Sequence, residues 1–91
     1  MQIAVRYMAQ LRRAAGTAVE TIELDKPCSA ADVVKRVAER HGLPFRALLL
    51  DGDGNVQPAV LLFVGDEQVG ADAAPLQDGD VVTVLTPMAG G

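Results

Sequence analysis

Over the first seven positions apolar and polar residues alternate, Met1, Ile3, Val5 and Tyr7 against Gln2, Ala4 and Arg6. That period of two predicts a half-buried strand. Residues 11–15 allow one helical turn before Gly16. Residues 18–24 alternate less cleanly, Val19 and Thr21 against Glu20, Ile22 and Leu24, and predict a second strand antiparallel to the first. The clearest helix follows. Ser29 and Asp32 form a Ser-x-x-Asp start, and Gly42 stands just past the last periodic residue. Val33, Val34, Val37, Ala38 and His41 fall on one stripe that can pack on a sheet, while Asp32, Lys35, Arg36 and Glu39 face water, with Lys35 and Glu39 spaced as an i,i+4 pair.

After Pro44 two apolar runs, residues 47–50 and 59–64, flank the turn-rich "DGDGN" and are expected as strands. Gly65-Asp66 predicts a hairpin turn returning through Glu67 to Val69, and Asp78-Gly79 a turn before the last strand, residues 81–85. Pro87 lacks an N–H and biases Thr86 toward extended geometry, so the sheet is expected to stop there, leaving residues 88–91 as a free tail. Hairpin, helix, strands and final strand together describe an α+β domain, a mixed sheet with one main helix packed across it. For "VVTVL" to be central it must lie parallel to the first strand, as in a β-grasp. Its near-continuous apolar character fits that place.

The chain has 91 residues, 49% of them hydrophobic, which suits one domain, residues 1–87, ahead of the tail. Such a chain buries only about 60–65% of its unfolded surface, leaving little room for an enclosed active site. The N-terminus carries Arg6, Arg12 and Arg13 without an apolar run, so neither a signal peptide nor a membrane anchor is expected and the default location is cytoplasmic. Cys28 is the single cysteine, which excludes an internal disulfide and a cysteine-cluster metal site. The net charge of −4 is uneven: all eight bases lie in the first 46 residues, and from residue 47 onward there are acids and no base. Two readings fit, a partner with a basic docking surface or solvated loop acids that keep the protein soluble. Acidity and only three aromatics, Tyr7, Phe45 and Phe63, argue against nucleic acid.

Candidate chemistry concentrates at the end of the chain. Gly90 and Gly91 lack Cβ atoms, so such an end can thread a narrow channel. The α-carboxylate is ionised and inert as an acyl group at neutral pH, and needs activation by another enzyme. Taken alone, the same residues also describe a frayed terminus or a linker remnant. Other candidates are weaker. Asp51, Asp53 and Asn55 alternate as in a calcium loop, but Val56 and Leu62 stand where that loop needs Gly and Glu, so a hairpin turn is expected and no metal. Cys28, just ahead of the helix, and His41, at its C-terminus, are expected to be structural. No phosphate loop, zinc-ligand set or catalytic triad is present, so the chain reads as a substrate more than a catalyst.

"MQIAVRYMAQLRRAAG" at the start and "LQDGDVVTVLTPMAGG" at the end resemble the MoaD/ThiS family of ubiquitin-like sulfur carriers, and the resemblance covers the whole chain. The longer middle is more similar to CysO-type members. The resemblance implies that Gly91 is adenylated by a partner related to ubiquitin-activating enzymes, becomes a thiocarboxylate with a sulfur donor, and passes sulfur to an acceptor enzyme of molybdopterin, thiamin, cysteine or tRNA thiolation. ATP would be bound by the partner, and the chain itself would hold no cofactor. Gly90 would be the slender neighbour in the channel, with Leu85, Pro87 and Met88 as candidate partner contacts. Thr86 departs from the second proline of many relatives. Two other classes remain open: a modifier joined to lysines through Gly91, and a non-covalent β-grasp binding module.

Overall fold

The computed structural model describes residues 1–70 and 75–86. Five strands, β1 (Gln2–Tyr7), β2 (Val19–Glu23), β3 (Leu61–Val64), β4 (Glu67–Val69) and β5 (Val81–Leu85), form one sheet in the order β2-β1-β5-β3-β4. β5 lies parallel to β1, with Val5 opposite Val82 and Tyr7 opposite Val84, and every other pairing is antiparallel. The last strand is therefore central, as the β-grasp expectation required.

Alternation decides which residues enter the core. Ile3, Val5 and Tyr7 of β1, Ile22 of β2, Leu62 of β3 and Val82 and Val84 of β5 all point to one face and are buried. Helix α2 (Ala30–His41) covers that face with Val33, Val34, Val37 and Ala38. Its start is the capping box read from the sequence: Ser29 accepts from the Asp32 N–H and the Asp32 carboxylate accepts from the Ser29 N–H. Gly42, with φ of 67°, closes its other end. Lys35 and Glu39 do not pair with each other; among the described residues the α2 side chains that meet an acid across the fold are Arg40 and His41, both on Glu20. Helix α1 (Ala9–Ala15) runs about two turns where one was expected, anchored by buried Leu11 and ended by Gly16 in the left-handed region.

The run at residues 47–50 is not a strand. Residues Phe45–Leu49 form a third helix, α3, and Leu50 makes only a single bridge to Val56. Phe45 and Leu49, four apart, share one face of the helix and are both buried, while Ala47, which a strand would place on the same face, is exposed. Gln57 secures the helix end: its side-chain amide donates to the carbonyls of Ala47 at 2.8 Å and Leu50 at 3.0 Å, and its N–H to that of Leu49 at 2.9 Å. Those carbonyls would otherwise be orphaned. The second run supplies β3, two residues shorter than the expected 59–64.

Candidate functional site

β5 is fixed at its start by a turn tied to β1. The Gln2 N–H donates to the Asp78 carboxylate at 2.7 Å, the Gly79 N–H donates to the Gln2 carbonyl at 2.8 Å, and Gly79 takes a φ of 87° that favours glycine. From there β5 runs between β1 and β3 to Leu85, hydrogen-bonded on both sides. A segment attached to Leu85 leaves from the middle of a rigid sheet. Pro87, Met88, Gly90 and Gly91 lie outside the described residues.

No element among the described residues covers the face of the sheet opposite α2. On it stand Ala4 of β1, Leu61 and Phe63 of β3, and Val81, Thr83 and Leu85 of β5, all half-buried. Leu85 is paired with Leu61 and Thr83 with Phe63, so the apolar side chains are contiguous across two strands. Leu85, a candidate partner contact from the family resemblance, stands half-buried on this face at the strand's end. A contiguous apolar patch left at the surface marks a candidate interaction site.

A second cluster escaped the sequence reading. Glu20 points from β2 toward α2 and receives three side chains: the Tyr7 hydroxyl donates to its Oε2 at 2.7 Å, Arg40 Nη1 donates to its Oε1 at 2.8 Å, and His41 Nε2 meets Oε2. Burial alone would raise the Glu20 carboxyl, but the bonds from His41, Tyr7 and Arg40 outweigh it and hold it below the usual carboxylate range. Burial, and then the Glu20 bond, push the Tyr7 phenol far above its ordinary value, so it stays a donor. The His41 ring lies 4.7 Å from that of Phe45, and the Tyr7 and Phe45 rings meet edge to face at 5.2 Å. The cluster ties the end of α2 to edge strand β2. Its signal was present, because Glu20 shares parity with buried Ile22 and Leu24, and an inward carboxylate demands partners.

The remaining candidates are structural. The Cys28 thiol is half-buried, its pKa raised by burial and then by the Asp32 carboxylate, against the reactive thiolate a nucleophile needs. Asp51 spends its Oδ1 on the N–H groups of Asp53 at 2.9 Å and Asn55 at 3.0 Å, which makes "DGDGN" an Asx-type turn. No helix among the described residues is long and apolar enough to cross a membrane.

A sheet with a parallel central terminal strand, a first-strand hairpin and a covering helix is the β-grasp, ubiquitin-like arrangement. The chain belongs to the ThiS family, whose model matches residues 5–91. It is 36% identical over 95 residues to small archaeal modifier protein 3 of Haloferax volcanii, with all of both chains covered. It also resembles one chain of the crystallised BexX/CysO complex of Amycolatopsis orientalis, at 26% identity and a TM-score of 0.68, covering 98% of this chain and 99% of that one. Small archaeal modifier protein 1 of Haloferax volcanii, at 18% identity over 100% of both chains, shares the fold with a TM-score of 0.83. Members of this family are small carrier and modifier proteins rather than enzymes.

Proposed function

We propose that this protein is a cytoplasmic sulfur carrier whose working group is the Gly91 α-carboxylate. A partner enzyme binds ATP and presents its α-phosphorus to the carboxylate; a carboxylate oxygen attacks, pyrophosphate leaves, and the inert acid becomes an acyl-adenylate. Hydrosulfide then attacks the acyl carbon and AMP leaves, giving a thiocarboxylate. That group is nucleophilic at sulfur, while its acyl carbon remains a point from which sulfur can later be released to a biosynthetic acceptor. The chain contributes no acid or base to these steps. Its part is to deliver the terminus, with Gly90 slim enough for a narrow channel and Leu85, Pro87 and Met88 as contacts for the activating enzyme.

The observation that carries the reading is a family match running through Gly91 on a chain whose last strand is held at the centre of the sheet. A β5 fixed on both sides supports it physically, because a rigid base limits the conformational entropy lost when a short tail is captured. The test is intact-mass measurement after incubation with the host's adenylating enzyme, ATP and sulfide. A gain of about 16 Da, sulfur for oxygen at the terminal group, is expected. No gain with an enzyme that hydrolyses ATP in the protein's presence sinks the reading.

A modifier role is favoured by a separate observation, the 36% identity to a small archaeal modifier protein. It uses the same acyl-adenylate, with a lysine amine in place of sulfide, and predicts host proteins joined by an isopeptide bond from lysine to Gly91; with no Lys or Arg beyond Arg46, tryptic digestion leaves residues 47–91 on the modified lysine. The two roles share the activation step and differ only in the nucleophile that follows.

A further inference from the structure

A cleft of about 350 Å³ opens on the α2 side of the sheet, away from the uncovered apolar face, between the β3–β4 hairpin and residues 75–80. Ala30, Val64, Val69, Pro75 and Leu76 give it apolar walls, and Glu67 and Asp80 are the charged residues of its described lining, with no cation among them. The walls are fixed by backbone bonds: the Leu76 N–H donates to the Cys28 carbonyl at 2.8 Å and the Gly65 N–H to the Val81 carbonyl at 2.9 Å. Asp80 gives its Oδ2 to the Gln77 N–H at 2.8 Å, while Glu67 is exposed and makes no side-chain hydrogen bond among the described residues. Asp66 precedes Glu67, and Asp78, two residues before Asp80, accepts from the Gln2 N–H. A neighbouring cleft of about 300 Å³ around Cys28 mixes Lys26 and Arg36 with Asp25 and Asp32 and so selects no sign of charge.

We propose that the cleft beside β4 docks an extended basic segment of a partner protein, with an aliphatic side chain in the cleft and lysine or arginine on either side meeting Glu67 and Asp80. Charge complementarity identifies the occupant: apolar walls ask for an aliphatic group, and two carboxylates without a cation ask for bases flanking it. The place in the fold gives the contact its use. Asp80 precedes β5 and Leu85 ends it, so about 16 Å of strand separates the cleft from the point where the tail departs. A partner can hold the cleft while the terminus is engaged elsewhere, which converts capture of the tail into an intramolecular step.

The probe is a synthetic, end-blocked heptapeptide alternating lysine and leucine, titrated at low salt into the isotopically labelled full chain and followed by amide chemical shifts. Shifts are expected at Val64, Glu67, Val69, Leu76 and Asp80. Glu67→Lys, at an exposed position, is expected to weaken binding at least about tenfold, whereas Asp53→Lys, the same change of net charge in the remote turn, changes it less than about twofold. Removing Gly90-Gly91 leaves binding unchanged, so the result stands apart from the thiocarboxylate reading. The proposal is overturned if a glutamate-leucine peptide binds as well, if the shifts fall instead on Ala4, Thr83 and Leu85, if the two lysine variants weaken binding equally, or if no shift occurs.

Discussion

The two faces of the sheet are made by the same strands and do opposite things. On the covered face Ile3, Val5, Val82 and Val84 are fully buried against α2. One residue along each strand, Ala4, Val81, Thr83 and Leu85 stand half-buried with no element over them among the described residues. Both sets are largely apolar, so hydrophobicity does not distinguish them; the presence of a helix does. The covered face supplies stability, and the uncovered one leaves apolar area that the proposed function assigns to a partner.

The sharpest way to break that contrast is to put one charge on each face. Val84→Asp buries a carboxylate with no partner and is expected to unfold the domain, a cost above about 3 kcal/mol, seen as loss of the cooperative urea transition. Leu85→Asp, one residue on, is expected to cost less than about 1 kcal/mol in the same measurement while raising the KM for the chain in the adenylation assay about tenfold. Equal stability losses at the two positions would erase the distinction.

The Glu20 cluster sharpens the comparison at the sheet's edge, where the covering helix is fastened to β2. Glu20→Gln is expected to destabilise by about 1–2 kcal/mol at neutral pH, since it weakens bonds to three side chains. The sign of the pH dependence follows from a carboxyl held lower in the folded state than in the unfolded one. Its contribution is present above the unfolded value of about 4.3 and fades as pH falls through the folded value, so the difference between wild type and variant shrinks toward zero in acid. Urea unfolding of both proteins from pH 7 down to pH 2, with Tyr7, Arg40 and His41 intact, measures it. The smallest effect is expected from Tyr7→Phe, which removes one hydroxyl bond and keeps the ring against Phe45: about 1 kcal/mol.

Much of the fold was legible because it depends on short-range rules. Period-two alternation placed β1, the Asp78-Gly79 turn and Pro87 bounded the near-continuous apolar run of β5, the Ser29 and Asp32 capping box began α2, and Gly42 ended it. The leucine run after Pro44 was misread because a short apolar run carries no period of its own; the choice between strand and helix fell to Gln57, ten residues beyond Ala47, which satisfies the helix's last carbonyls. Of the candidate site, Leu85 came from the family resemblance. In the Glu20 cluster only the inward parity of Glu20 was legible; its partners Tyr7, Arg40 and His41 were not, since the four residues are spread over three elements.

The sequence by itself determined most of the elements, α3 excepted, and the chemistry available at the chain's end, because turn, cap and alternation signals act between residues a few positions apart. The tertiary structure bore out the expected central β5 parallel to β1, and it alone decided that residues 45–49 are helical, that one apolar face is left open among the described residues, and that a carboxylate on β2 fastens the end of α2. Those outcomes depend on pairing residues as far apart as Tyr7 and Val84, whose closeness is set by which surfaces the whole chain can bury at once.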